Sequence, residues 1–205
     1  MNDKIIKIAC DLFLRYGIRS VTMDEIAAEA GISKRTLYEK FSNKEDLLEK
    51  LLENIWVEHR SSINQIIMAT PSCLISILNI MKYVTKDFKD EQIIKSREGF
   101  FNDLNKFYPN VAKKNKDCLE LLRSFMAEHL KKGVEQQTVR KNLNLDLIST
   151  LLIVQIEGLD NIKAMQQFHP REIFTTAIIS FCRGISTENG LKEIEDFLTE
   201  NEVYI

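Results

Sequence analysis

Proline and glycine are scarce in this chain, 3 and 7 in 205 residues. Strand-like alternation of apolar and polar residues is scarce too, and both shortages favour helices throughout. No uncharged apolar run reaches the length of a membrane span. Asp3, Lys4, Lys7 and Asp11 interrupt the N-terminal apolar residues, which argues against a secretory signal. The four cysteines, Cys10, Cys73, Cys118 and Cys182, lie far apart and make no CxxC pair. Buried free thiols in a reducing cytoplasm are the expectation, with a redox pair as the lesser reading. His59, His129 and His169 lack the spacing of a metal site, so neither metal nor cofactor is expected. A glycine-rich phosphate loop and a GxSxG elbow are missing. Glu128 and His129 are neighbours that would point apart on a helix. No nucleophile and base stand out, and an enzyme is not expected.

Excess positive charge is lacking as well. The net charge is −2, and over residues 1–50 nine Lys and Arg are balanced by nine Asp and Glu. A nucleic-acid footprint must therefore come from arrangement. Between Ser33 and Lys44 the cations Lys34, Arg35, Lys40 and Lys44 face only Glu39, a local excess of +3. A strip of this kind suits phosphates.

What the chain does have is the stretch TMDEIAAEAGISKRTLYEKFSNK, residues 22–44. It reads as two short helices joined by a tight turn. Thr22 with Glu25 three residues on is a capping box that starts the first helix. Ile26 and Ala27 give that helix an inward face, and Ala27 is small where a crossing helix must come close. Gly31 falls where the turn needs a positive φ, which glycine adopts freely. Ile32 plugs the corner, Ser33 caps the second helix, and Leu37 is its buried anchor. These separations are those of a helix-turn-helix. In such motifs the first residues of the second helix meet base edges. Ser33, Lys34, Arg35 and Thr36 occupy that turn; Arg and Lys can donate to guanine, and Thr can touch a thymine methyl. Tyr38 and Lys44 suit phosphate contacts, and Thr22 at a helix N-terminus suits another.

The stretch resembles the DNA-binding segment of the TetR family of transcriptional regulators. Thr22, Ile26-Ala27, Ala30-Gly31-Ile32-Ser33, Thr36-Leu37-Tyr38, Phe41, Lys44-Glu45 and Leu47-Leu48 carry the resemblance, which covers about residues 5–50. Arg35 stands where many members have glycine and adds a long donor near the groove. The resemblance implies an all-α fold in two parts. Residues 1–46 would form a three-helix helix-turn-helix domain, and residues 47–205 a larger helical effector-binding and dimerisation domain. It also implies a cytoplasmic, ligand-responsive repressor that blocks polymerase from a palindromic operator on double-stranded DNA.

Apolar periodicity outlines nine or ten helices. The first covers about residues 2–17 and ends at Gly17. Asn43 can cap a long fourth helix that continues to about Ile67, the one evident mechanical link between the two parts. Pro71-Ser72 starts a fifth, to about Asp87, and a sixth spans about 91–105. The segment 107–110 is a break. A seventh spans about Val111 to Gln136, and 137–145 reads as a loop. An eighth covers about Asp146 to Gln166, a ninth begins at Pro170, and the last spans about Thr187 to Glu200.

The eighth and ninth helices are candidates for self-association, because both are apolar around much of their circumference. Leu151, Val154, Gly158, Phe174, Ala177, Ile178 and Phe181 are the candidate interface, with burial in the monomer core as the plain alternative. The resemblance implies a four-helix bundle across a two-fold axis. DNA geometry also favours a homodimer, since two recognition helices read a palindrome with half-sites about 34–36 Å or a multiple apart.

The resemblance further implies a small-molecule site among the middle helices. Trp56, Arg60, Met81, Arg97, Phe100, Phe101, Phe125, His129 and Gln155 are the candidates, suited to a flat or greasy effector oriented by one or two polar groups. No membrane partner is expected. The competing reading is a helical protein-interaction adaptor, or a small-molecule-binding protein with a non-functional DNA head; the basic first turn of the second helix tells against both.

Overall fold

The structure is a computed structural model. It describes the backbone of residues 2–85, 91–161, 168, 172 and 174–201, and the side chains of 2–84, 95–155, 168, 172 and 176–201. Its helices are α1 (Asn2–Tyr16), α2 (Met23–Ala30), α3 (Lys34–Lys40), α4 (Lys44–Ala69), α5 (Cys73–Thr85), α6 (Glu91–Phe107), α7 (Pro109–Glu135) and α8 (Leu145–Asn161). A π-helical segment, Phe174–Ile179, leads into α9 (Ser180–Ile185), and α10 (Glu188–Glu200) follows. The all-helical expectation holds, and among the described residues the sole β-type pairing is an isolated bridge between Val139 and Ser186. The expected start at Pro170 lies outside the described residues, and the π turn is a departure from the simple α-helix read from the sequence.

The chain packs as two compact units. The first comprises Met1–Arg60 and Gln92–Cys118, the second Ser61–Glu91 and Leu119–Ile205. The division read from the sequence, between residues 46 and 47, falls inside α4, so packing divides the chain differently. The physical reason is the α6–α7 corner. Phe100, Leu104, Val111 and Ala112 bury in one core with Ile5, Phe13, Ile26, Leu37 and Leu48. Burying each large apolar side chain contributes about 1.5–3 kcal/mol, so the corner belongs to the head that it helps to fill. Nor is α4 alone in serving both units: α7 also begins in the first and ends in the second.

The first core is filled from helical faces that the sequence spacing predicts. Ile5, Ala9 and Phe13 recur along one side of α1. At the corner's edge Trp56 Nε1 donates to Asn115 Oδ1 at 2.9 Å, and Lys114 pairs with Glu49 at 2.6 Å. These bonds join α4 to the start of α7 within the unit.

The second core gathers Leu74, Ile77 and Leu78 of α5, Met126 and Leu130 of α7, Leu152 of α8, Cys182 of α9, and Ile194 and Leu198 of α10. The expected loop at 137–145 lies at 136–144, between α7 and α8, and is pinned rather than free. Arg140 N–H donates to the Ile185 carbonyl and Thr187 N–H to the Thr138 carbonyl, each at 2.9 Å. Thr187 then caps α10 by accepting from Gly190 N–H at 3.2 Å. All four thiols are free. Burial pushes Cys73 and Cys182 each up to about 12, and Cys10 up to about 11.

Gly190 marks a close approach. A Cβ there would meet the Thr138 carbonyl oxygen and stand 2.7 Å from Leu74 Cδ1. Gly190→Ala is expected to destabilise the protein by about 1–3 kcal/mol through overpacking, read as a lower urea midpoint with helicity in buffer retained.

Candidate functional site

The helix-turn-helix is fixed at each joint by a local bond. Thr22 Oγ1 accepts from Glu25 N–H at 3.2 Å, and the Glu25 carboxylate accepts from Thr22 N–H at 2.7 Å and from its hydroxyl at 2.8 Å. The bonds from Thr22 hold the Glu25 carboxyl below its ordinary range. Gly31 has φ +68 and ends α2. Its neighbour Ile32 donates its N–H to the Ala27 carbonyl at 3.0 Å, which closes the turn. Ser33 Oγ accepts from Thr36 N–H at 3.0 Å and starts α3. Asn43 Oδ1 accepts from Asp46 N–H at 2.9 Å and starts α4.

Burial then decides which face of α3 points outward. Leu37 and Phe41 are sealed in the first core together with Ile26, Ala27 and Ala30. Lys34, Arg35 and Tyr38 are left on the surface. The Arg35 side chain is 89% exposed and holds Glu39 at 2.9 Å. Lys34 Nζ holds Asp24 of α2 at 2.7 Å. Exposed ion pairs are weak, so a phosphate or base edge can replace either carboxylate at small cost. Thr36 is half-buried and shares a 2.8 Å bond with the Ser33 hydroxyl.

Lys44 differs from the rest of the strip. It is half-buried, and its ammonium donates to the Ile18 carbonyl at 2.9 Å. Burial lowers its pKa, against the opposing pull of Glu25 and Asp103. In this structure the head group ties the α1–α2 turn to the start of α4 instead of standing free for a phosphate.

The effector candidates fall in both units. Within the first, Phe100 is buried in the core and meets Phe101 edge to face at 5.4 Å, Trp56 is held by Asn115, and Arg60 is exposed. Within the second, Met81 and His129 are buried and Phe125 is exposed. Two polar features stand out in that apolar setting. Ser76 Oγ donates to the Cys73 carbonyl at 2.7 Å, and His129 Nε2 lies 2.5 Å from the same oxygen. Either group can donate in this buried Ser76–His129 bond, according to the imidazole tautomer. The other feature is Gln155 Oε1, which is buried without a hydrogen-bond partner among the described residues. Ser76 was not read from the sequence; it stands 53 positions from His129, and no local pattern joins them.

The self-association candidates divide as well. Leu151 and Val154 are exposed on α8, and Leu147 one turn earlier extends them into an apolar stripe 41–55% exposed. The i, i+4, i+7 spacing carried that signal for Leu147. Ile178 is 1% exposed and lies in the second core, and Phe181 is packed against that core. Ile178 therefore fills its own unit and presents no open surface. Ala177 is half-buried. The side chains of Gly158 and Phe174 lie outside the described residues.

His129 gives this buried cluster a pH signature. Burial lowers its pKa below 6.5, with Lys132 adding to the shift. The unfolded imidazole binds protons more readily than the folded one, so stability is complete above pH 6.5 and is lost as pH falls through 6.5 towards the folded value. In His129→Gln that component is expected to vanish, which urea midpoints across the same range will check.

The sequence and the fold both find relatives. The family model described as bacterial regulatory proteins, tetR family, matches residues 5–51. The HTH-type transcriptional regulator YvkB of Bacillus subtilis is 27% identical over 195 residues, 91% of this chain and 98% of that protein. The HTH-type transcriptional repressor KstR2 of Mycolicibacterium smegmatis is 25% identical over 153 residues, 72% of this chain and 71% of that one. A TetR transcription regulator from Haloarcula marismortui has a similar crystal structure, with a TM-score of 0.77 at 13% identity over 91% of this chain and 98% of that chain. The helix-turn-helix geometry and these likenesses agree: residues 5–51 match the DNA-binding segment of the TetR family, and the chain as a whole is similar to transcriptional regulators of that family.

Proposed function

We propose that the protein is a ligand-responsive repressor that binds a palindromic operator as a homodimer in the cytoplasm. The observation that carries this reading is α3, locked from within by Leu37 and presenting Lys34, Arg35 and Tyr38 outward. Ser33, Lys34, Arg35 and Thr36 meet the bases. Tyr38 and the α2 N-terminus at Thr22 hold phosphates, and Lys44 joins them by exchanging the Ile18 carbonyl for a phosphate oxygen. The similarity to a protein named as a repressor supports the sign of regulation. The assigned role involves no catalysis and no membrane, and no described helix is long and apolar enough to cross one.

The exposed stripe Leu147, Leu151 and Val154 supports a second copy as the partner of α8, because an apolar row in water gains by being covered. Ala177 and Phe181, each half-buried, are the further candidates for that contact. The effector is a small, largely apolar molecule held in the second unit, to which α5, α7 and α8 contribute the candidates Met81, Phe125, His129 and Gln155. Gln155 Oε1 supports that placement, since it is a buried acceptor with no donor among the described residues and an effector can supply one. The first unit's own candidates are Trp56 and Arg60 on α4 and Arg97, Phe100 and Phe101 on α6. Because α4 and α7 serve both units, an effector that favours one pose of these helices biases the head. A coupling of about 1–3 kcal/mol loosens operator binding roughly 5–150-fold.

The direct test replaces Arg35 and Tyr38 by alanine. Helicity is expected to be unchanged, while affinity for the genomic fragment best retained by the wild type falls by about 1–3 kcal/mol or more; undiminished binding in titrations would remove α3 from the interface. For the dimer, Leu151→Arg with Val154→Arg is expected to run as a monomer on sizing chromatography and to lose operator affinity. A dimer of unaltered elution would place the contact on another surface.

A further inference from the structure

Outside α3 the first unit carries a second gathering of positive charge. Residues 1–50 are neutral, but residues 92–118 add Lys95, Arg97, Lys106, Lys113, Lys114 and Lys116 against Glu98, Asp103 and Asp117, an excess of +3. Part of this excess meets the head at one place. The Arg19 guanidinium, in the α1–α2 turn, lies 5.2 Å from the centre of the Phe107 ring, and the Lys106 ammonium lies 5.3 Å from it. All three side chains are exposed.

We propose that Arg19, Lys106 and Phe107 form an auxiliary phosphate-binding patch that grips the operator backbone beside the N-terminus of α2. Like charges repel, and two cations from different elements drawn to one aromatic ring need a reason. The C-terminus of α6 attracts Lys106 through the helix dipole, but it does not account for Arg19. Neither head is paired with a carboxylate within 4.0 Å among the described residues. The nearby acid is already committed: Asp103 Oδ2 accepts from the backbone N–H of Arg19 at 3.1 Å and anchors the turn on α6. The Phe107 ring serves as a floor that holds both cations by cation–π attraction while leaving their N–H groups open. Such a floor with two free donors suits a phosphodiester oxygen, which carries one charge and no base identity.

Position favours the DNA backbone as the source of that phosphate. Arg19 is three residues before Thr22, so an extended chain separates them by about 11 Å at most. Successive phosphates of one strand advance about 3.4 Å along the axis, so a head seated with its α2 N-terminus on one phosphate has others of the same strand within reach of the patch. The patch rests on the DNA-binding reading above and adds grip without adding sequence preference.

The test is the salt dependence of binding to a fluorescein-labelled mixed-sequence duplex, followed by anisotropy. Each phosphate contact contributes about 0.9 to the slope of log K against log salt concentration. Arg19→Gln with Lys106→Gln is expected to flatten the slope by about 0.9 per lost contact in each protomer, and Lys106→Gln alone by about half as much as the pair. Lys106→Arg keeps the wild-type slope. Lys116→Gln, an exposed lysine of the same unit with the same change in net charge, also keeps it. The single Lys106 variant leaves the backbone bond between Arg19 and Asp103 intact and so keeps the result readable should the double variant unfold. A slope unaltered in Lys106→Gln, or a Lys116→Gln variant that flattens it equally, overturns the patch and leaves α3 as the reader. A wild type with no affinity for any duplex overturns both readings.

Discussion

Leu37 is the constraint on which the head depends. It is the one residue of α3 that is fully withdrawn from water, and its insertion against Ile26, Ala27 and Ala30 sets the rotation of that helix about its own axis. On a helix of seven residues each position is turned about 100° from the next. Fixing one side chain inward therefore fixes Lys34, Arg35 and Tyr38 outward. The caps at Thr22, Ser33 and Asn43 remove the remaining slack by satisfying the first N–H groups of each helix.

Charge is used sparingly around that pin. The head's N-terminal fifty residues carry no net charge, and the two cations that open α3 are held by local acids at the surface, Lys34 by Asp24 and Arg35 by Glu39. Such pairs keep long side chains ordered and are easily exchanged for a polyanion. A head of this kind gains its affinity from a few directed contacts instead of a diffuse field. Loose attraction to every acidic surface is correspondingly small.

How much of this could be read in the sequence follows from distance along the chain. The capping box spans three residues, the Gly31 turn two, and the Ser33 cap three; each is a local pattern whose chemistry is complete within one window. The helix-turn-helix was therefore legible to the residue, and the helices of the body nearly so. What escaped spans dozens of residues. Trp56 finds Asn115 59 positions away, and Ser76 finds His129 53 positions away. The α6–α7 corner joins the head because Phe100 and Val111 fill a core begun by α1, which no periodicity announces. The same cause blurred α9: the apolar faces of its segment look alike from the sequence, and only packing tells that Ile178 turns inward. Lys44 was legible as a basic residue at a helix start, whereas its bond to the Ile18 carbonyl was not.

The thiols carry a consequence of their own. Sulfur attacks peroxides and alkylating agents as the thiolate, and burial holds Cys73 and Cys182 near 12 and Cys10 near 11, with Cys118 raised as well. Near neutrality almost none of this sulfur is ionised. Oxidants and electrophiles that need a thiolate therefore find little of it on these four side chains.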